Sequence, residues 1–293
     1  MSKAEVFEEI EKQEPTLWKQ KQATRAVFFI GGFGAASWAP LVPFLKMRLA
    51  IGEDSLGLLL LCIGVGSLLT MPFSGVAAAK FGCRKVIAVA GVCYAVLLFF
   101  LSQIASFGGA MLALLLFGGI MGSIDVVVNI HAVMVEKAAK ERLMSSMHAL
   151  WSVGGFVGAG FFGFWLHFGF SPGTATFFAT SIMLLLLLLC NRGLLTNGAG
   201  QGASFFAIPR GIVIFIGIIC CIAFLVEGAI MDWSGVFLTT VRGLDLSMAG
   251  TGFAVFSAAM LTMRLVGDRL VQRLGSRGIV IGGSALAAMG FFF

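Results

Sequence analysis

Ionisable side chains are rare in the long apolar runs of this sequence, and each one is a candidate for chemistry. Asp125 and Asn129 are four residues apart, which places them on one face of a helix. At about 1.5 Å per residue, Asp125 lies about 27 Å from the first residue of its run. The next run returns in the opposite direction and begins near His148, which is therefore at a similar level to Asp125. Asp125 and His148 could therefore share a proton. Alternatively, the three side chains tie two helices together or form part of an inner gate.

Another acid, Glu227, lies in the outer half of a later run, about 24 Å from its inner end at about 1.5 Å per residue. A buried acid there could be neutral when a cavity closes around it and ionised when that side opens, which would link proton movement to conformation. A hydrogen bond to a neighbouring helix is the alternative. Asp232 lies closer to the outer boundary, where we expect an end cap or an outer-gate residue.

Two tryptophans are candidates for the wall of a binding site. Trp38 is followed by Pro40 and Pro43, which remove backbone donors, bend the helix and free carbonyl groups that a cavity can use. We therefore expect Trp38 to line a cavity near the middle of the membrane, with ordinary packing as the alternative. Trp151 is a further candidate because it lies in the same run as His148.

Arg264 is a cation within an apolar run. It could meet an anionic substrate, but the favoured interpretation is a pair with Asp268, four residues further along the same helix face. Gly154 and Gly158 have the small-x-x-x-small spacing that lets a neighbouring helix approach closely. These glycines predict tight helix packing and indicate no substrate.

The elements that must position these side chains are membrane-spanning helices. Of 293 residues, 59% are hydrophobic and only 12% are charged, and the mean hydropathy is +1.00, which exceeds what a soluble core requires. Apolar runs of about 20 residues can each cross a hydrocarbon layer of roughly 30 Å. They predict an all-α membrane protein with spans near 26–46, 55–79, 85–105, 107–133, 144–166, 173–190, 211–238 and 247–270, and a ninth from 278.

Other classes of protein are disfavoured by missing motifs. The six cysteines form no C-x-x-C pair, and His131, His148 and His167 lack the spacing of a metal site. There is no H-E-x-x-H, G-x-S-x-G or Walker sequence, so we expect no enzyme activity, no cofactor, no bound metal and no use of ATP. The cations are spread over separate turns instead of one face, which argues against nucleic-acid binding.

The distribution of cations predicts the orientation in the membrane. If the N-terminus is cytoplasmic, most of the 20 Lys and Arg residues fall on the cytoplasmic side, as the positive-inside rule requires. The net charge of +6 is therefore a signal of topology. We expect a multi-pass protein of the inner membrane, surrounded by lipid and monomeric.

A polar stretch rich in Gly and Asn follows the sixth run and divides the chain. The predicted parts are a cytoplasmic N-terminal segment (1–25), a six-helix bundle (26–190), a cytoplasmic linker (191–210) and a partial second bundle (211–293). The last apolar run continues to Phe293 without a following polar residue. We therefore expect a piece of a longer protein, with a complete first half and a partial second half.

The two halves carry related loops. The run of Gly75, Lys80, Gly82, Arg84 and Lys85 resembles the loop between the second and third helices of the major facilitator superfamily. Aligning the halves matches Gly82 with Gly275 and Arg84 with Arg277, as expected of parallel repeats in a transporter. The corresponding second-half residues are Asp268, Arg269, Gly275 and Arg277.

This loop departs from the superfamily pattern at one position. Ala79 stands where the pattern has an Asp, and the Arg that pairs with that Asp in the superfamily is missing from the fourth span. We therefore expect the contact that closes the cytoplasmic side to be built differently. The segments 36–46, 125–137, 144–160 and 226–233 further resemble a bacterial permease subgroup distantly related to fucose-permease-like carriers.

The resemblance implies a secondary active transporter that moves a small solute by alternating access, with protons as the expected coupling ion. One alternative is a transport-inactive membrane sensor or scaffold that has kept the fold, which the missing acid at Ala79 suggests. Another alternative is an inactive fragment of a transporter.

Overall fold

The computed structural model describes residues 15–198 and 210–292, except for the side chains of Asp268 and Phe292. Nine segments within the described residues are long and apolar enough to cross a membrane, which confirms the all-α prediction. The helices are α1 (Leu17–Trp38), α2 (Leu41–Leu49), α3 (Glu53–Phe81), α4 (Cys83–Leu101), α5 (Phe107–Ala139), α6 (Met144–His167), α7 (Pro172–Cys190), α8 (Ile212–Val236) and α9 (Thr251–Phe292). Shorter helical turns occupy Asn191–Gly193, Phe237–Val241 and Leu246–Met248.

The first apolar run forms two helices instead of one. A turn at Ala39 and Pro40 separates α1 from α2, because Pro40 offers no backbone N–H to continue the helical ladder. Together α1 and α2 make a single candidate span from Leu17 to Leu49, longer than the predicted 26–46.

The core of the first six spans is built around α1, whose residues from Ile30 to Trp38 are all buried. Helix α6 packs along α1. A Cβ added to Gly154 or Gly158 would collide with the carbonyl oxygens of Phe29 and Phe33 on α1. The close approach predicted from these two glycines is therefore confirmed.

A second close pair joins α3 to α5. The hydroxyl groups of Ser67 and Thr70 each donate to a glycine carbonyl of α5, at Gly118 and Gly119, over 2.7 Å. Such hydrogen bonds between helices are typical where small residues bring two backbones together in a membrane.

One end of the bundle is called here the N-side, because α1 begins there. The α5–α6 turn is at this end, since Lys21 of α1 forms a 2.7 Å ion pair with Glu141. The opposite end is called the far side. It contains the α2–α3 turn, where Lys46 pairs with Glu53.

Two glycines have the matching backbone conformation that the predicted repeat of the two halves requires. Gly82, between α3 and α4, has φ 83° and ψ 149°, and Gly275, which interrupts α9, has φ 72° and ψ 155°. A residue with a Cβ rarely adopts this conformation. Matched residues of the two halves therefore make the same sharp turn, as the alignment of Gly82 with Gly275 predicts.

The second half packs on the first through two helices. Helix α9 runs along α6, while the far-side part of α8 contacts α2. Val236 and Gly235 near the end of α8 are buried, whereas its first half is exposed, as at Ile212 and Phe224. Apolar side chains exposed in this way suit a lipid environment.

Candidate functional site

Three of the predicted polar residues form a connected chain between α5 and α6. The side-chain nitrogen of Asn129 donates to the backbone carbonyl of Asp125 over 2.8 Å and to its carboxylate over 3.2 Å. The amide oxygen of Asn129 is 3.1 Å from Nε2 of His148, so this nitrogen carries the hydrogen. Asp125 and His148 therefore lie at one level, as predicted, but the amide of Asn129 stands between them in place of a direct hydrogen bond.

The second half contributes a cation to the same region. The guanidinium of Arg264 on α9 donates to the backbone carbonyl of His148 over 2.8 Å and also to the hydroxyl of Ser152. Both acceptors are on α6, so Arg264 joins the two halves. The side chain of Asp268, the partner favoured from the sequence, lies outside the described residues.

Glu227 of α8 completes this group of charges. Its carboxylate is half-buried and interacts electrostatically with Arg264 and Asp125. We call Asp125, Asn129, His148, Ser152, Glu227 and Arg264 the central polar cluster. Its members come from α5, α6, α8 and α9, two helices from each half.

A small cavity of about 10 Å³ lies beside Glu227. Its wall includes Trp151, Ser152 and Ser257. The indole of Trp151 packs against α1 where Gly31 leaves room for it, since a Cβ at Gly31 would overlap the ring. Trp151 is therefore the tryptophan that lines a cavity next to Glu227.

Trp38 packs in the core, the second of the two places expected from the sequence. It is fully buried, and its ring centroid is 5.9 Å from that of Phe117. Packing against Phe117 and a hydrogen bond to Asp232 hold the indole in the core, which is the arrangement expected of the alternative, ordinary packing. That bond runs from Nε1 to the carboxylate over 3.1 Å.

The bond between Trp38 and Asp232 is also a contact between the halves. It connects the end of α1 with the last turns of α8. Beside it, the backbone of Gly235 lies against Pro43 and Ala39, where an added Cβ would find little space. Asp232 thus holds the two halves together toward the far side.

A larger cavity of about 300 Å³ opens on the far side between α6 and α9. Its wall consists mainly of small residues, with His167, Ser247 and Thr251 as the polar groups. None of the site residues predicted from the sequence lines it.

The loop residues predicted from the superfamily pattern lie in the last part of α3, at the start of α4 and in α9. Gly82 caps α3, and Lys80 lies over the ring of Phe81 with Nζ 5.2 Å from the centroid. Lys85, Arg269 and Arg277 are exposed, Arg84 is half-buried, and Gly75 is a helical position with open space beside it.

Sequence reasoning missed Ser152, Ser257 and the buried His131. Single serines in apolar runs carry no distinctive spacing, and their role depends on which helix faces them. His131 was considered only as a metal ligand. Within residues 15–198 and 210–292, no group of three or more His, Cys, Asp or Glu could hold a metal ion.

The fold and the cluster together define a class of protein: a helical multi-pass membrane protein with polar groups shared between two related halves. A crystal structure of the nucleoside transporter NupG matches it with a TM-score of 0.63 at 12% sequence identity, covering 87% of this chain and 69% of that one. At this identity the match shows the fold alone.

The particular family follows from the sequence comparisons. The Major Facilitator Superfamily model matches residues 26–293, and the chain belongs to that superfamily. An uncharacterized MFS-type transporter of Yersinia pestis is 49% identical over 272 residues, which make up 92% of this chain and 71% of that protein. An uncharacterized transporter of Sinorhizobium fredii is 34% identical over 86% of this chain and 67% of its own length.

A more distant relative is the membrane protein MosC of Rhizobium meliloti, 28% identical over 90% of this chain and 65% of its own length. The family and the relatives named as transporters support a membrane transporter, and they point to a protein that is not an enzyme.

Proposed function

We propose that this protein is a secondary active transporter that moves a small solute by alternating access and couples the movement to protons. The observation that carries the proposal is the central polar cluster, where ionisable side chains from four helices and both halves meet beside a cavity. Burying such groups in a membrane is costly, so they persist where they serve a pathway or a partner.

Two contacts between the halves are suited to act as gates. The bond between Trp38 and Asp232 joins α1 to α8 toward the far side, and Arg264 joins α9 to α6 nearer the N-side. In alternating access one of these contacts opens while the other stays closed. We assign the outer gate to Trp38 and Asp232, and the inner gate to Arg264 with His148.

Glu227 is the proposed coupling residue. It precedes Asp232 on α8, borders the cavity and interacts electrostatically with Arg264. A negative Glu227 favours the present position of Arg264, whereas a protonated Glu227 no longer attracts the guanidinium. Protonation would therefore change the relative stability of the two conformations, which is what coupling requires.

We further propose the inner membrane as the location, with the N-side facing the cytoplasm and protons, solute and lipid as the partners. The distribution of Lys and Arg supports this orientation. A membrane-impermeant maleimide should label a cysteine introduced at the exposed Lys85 from the cytoplasmic side alone. Labelling of that cysteine from the periplasm would reverse the orientation.

A solute can be found by a thermal-shift screen, because a ligand that binds the folded state raises the apparent stability. The transport assay then uses vesicles with an internal pH indicator. We expect the solute to move protons in the wild-type protein. In Glu227→Gln, the solute should still exchange across the membrane, but the solute-driven proton signal should fall at least about tenfold, because the side chain can no longer ionise.

The matched control is Glu53→Gln on the far side. Glu53 pairs with Lys46, and exposed ion pairs contribute little to stability, so this variant should transport as the wild type does. Proton movement that persists in Glu227→Gln would refute the coupling role. A wild-type protein that moves neither solutes nor protons across a broad panel would instead favour the sensor or scaffold.

A further inference from the structure

Residues Leu194–Gly198, which the sequence assigns to the linker, lie across the N-side end of the first bundle. The backbone N–H of Arg84 donates to the carbonyl of Leu195 over 3.0 Å, and the N–H of Cys83 donates to that of Asn197 over 3.3 Å. These two N–H groups belong to the first turn of α4. The segment thus follows the start of α4 with its backbone.

The start of α4 needs such partners. The first N–H groups of a helix have no acceptor within the helix, and no side chain caps α4. A capping side chain commonly fills this role. Here the carbonyls of Leu195 and Asn197 take its place.

The buried His131 of α5 holds the same segment from a second helix. The backbone N–H of Leu195 donates to its Nε2 over 2.9 Å. Because a backbone N–H can only donate, Nε2 carries no hydrogen and Nδ1 of the neutral ring carries one. Nδ1 therefore donates to the hydroxyl of Thr24, 3.0 Å away on α1, and Thr24 donates to the carbonyl of Gln20 over 2.7 Å.

Glycines let the segment approach the helices without a gap. An added Cβ at Gly198 would collide with the carbonyl of Ala78, and one at Gly82 would collide with the carbonyl of Thr196. At Gly193, just before the segment, an added Cβ would be 2.7 Å from the carbonyl of Lys19. Backbone contacts thus join the segment to α3 as well, and the residue before it to α1.

We propose that Leu194–Gly198 is a backbone latch, fixed by His131, that belongs to the first bundle and holds the loop between α3 and α4 in place. The first bundle then extends to Gly198 instead of ending at Cys190. The latch also accounts for a loop that carries Ala79 where the superfamily pattern has an acid, because backbone hydrogen bonds hold the loop here. This inference does not depend on transport activity.

Hydrogen exchange of the full chain, followed by mass spectrometry, tests the latch. Peptides covering 83–84 and 194–198 should exchange slowly in the wild type. His131→Phe removes the acceptor of the Leu195 N–H, and we expect exchange in both peptides to become roughly tenfold faster, since a buried donor left without a partner destabilises the contact. His131→Gln can still accept from Leu195 and donate to Thr24, so slow exchange should be retained.

A second variant keeps the test decisive if His131→Phe does not fold. Gly198→Ala places a Cβ against the carbonyl of Ala78 and should speed exchange in the same peptides. Its control is Gly64→Ala, an exposed helical position with nothing within 4 Å of an added Cβ. The latch is refuted if the two peptides exchange at the rate of free chain in the wild type. It is also refuted if Gly198→Ala exchanges no faster than Gly64→Ala.

Discussion

At the scale of single residues, the account depends on where charge and hydrogen-bond donors are placed between the halves. Arg264 reaches across from α9 to the backbone carbonyl of His148 and the hydroxyl of Ser152, and Trp38 reaches Asp232 on α8. Each donor is on one half and its acceptors are on the other. A change of conformation must break such bonds, so their strength helps to set which state is populated.

The first prediction concerns the hydrogen bond between Trp38 and Asp232. Trp38→Phe keeps an aromatic ring beside Phe117 but removes the Nε1–H donor. We expect the free energy of unfolding to fall by about 1 kcal/mol, a typical value for a hydrogen bond between membrane helices. Unfolding by detergent titration, followed by circular dichroism, measures the change.

The control for this substitution is Trp18→Phe, since Trp18 is 68% exposed and should tolerate the change. If the two variants lose equal stability, the bond from Trp38 to Asp232 contributes nothing measurable, and the proposed outer gate loses its support.

The sequence indicated which residue types matter but not which of them meet. Asp125, Asn129 and His148 could be grouped from helical spacing and depth, because both are properties of the chain itself. The acceptors of Arg264 on α6 could not be predicted, because they depend on how the halves pack. For the same reason the sequence could not decide between a cavity wall and ordinary packing for Trp38, since its surroundings are formed by Phe117 on α5 and Asp232 on α8.

At the scale of helices, close packing in this protein rests on glycines whose missing Cβ admits a neighbouring backbone. Helix α6 has glycines that contact a neighbouring backbone and glycines that face open space. Gly154 faces the backbone of α1 at Phe29, while Gly160 has nothing within 4 Å of an added Cβ. The two glycines therefore separate the effect of a close contact from the effect of glycine on helix propensity.

This difference leads to a prediction within one helix. Gly154→Ala forces α6 away from α1, and we expect a loss of about 1 to 3 kcal/mol in the free energy of unfolding, as for an overpacked core. Gly160→Ala enters open space and should leave stability unchanged or slightly raised, since Ala favours a helix over Gly. Equal losses in the two variants, measured by the same detergent titration, would contradict the packing of α6 on α1.

Element positions were largely predictable because apolar runs of sufficient length must be helical in a membrane. The small-x-x-x-small spacing also predicted that Gly154 and Gly158 face another helix. The break between α1 and α2 could not be predicted from Pro40 alone, since proline bends some membrane helices and interrupts others. The sequence assigns residues 194–198 to the linker. Their contacts with the first bundle could not be predicted, because a short polar segment carries no pattern that shows which groups it contacts.

At the scale of the whole molecule, the two related halves meet through a far-side contact and a contact nearer the N-side. The matching turns at Gly82 and Gly275 support their origin as repeats. Repeats of this kind can rock about a shared central site, and the central polar cluster lies where four of their helices meet. Under the proposed coupling, protonation of Glu227 in this cluster shifts the balance between the two conformations.

The most direct test of alternating access is a pair of distances measured by pulsed electron spin resonance in lipid vesicles. One pair of spin labels spans the halves at Lys137 and Arg273, and a second pair spans them at Gln103 and Arg242; all four side chains are exposed. We predict that a shift from neutral to acidic pH changes the two distances in opposite directions, and that Glu227→Gln abolishes the response. Two distances that stay constant, or that lengthen together, would contradict the account.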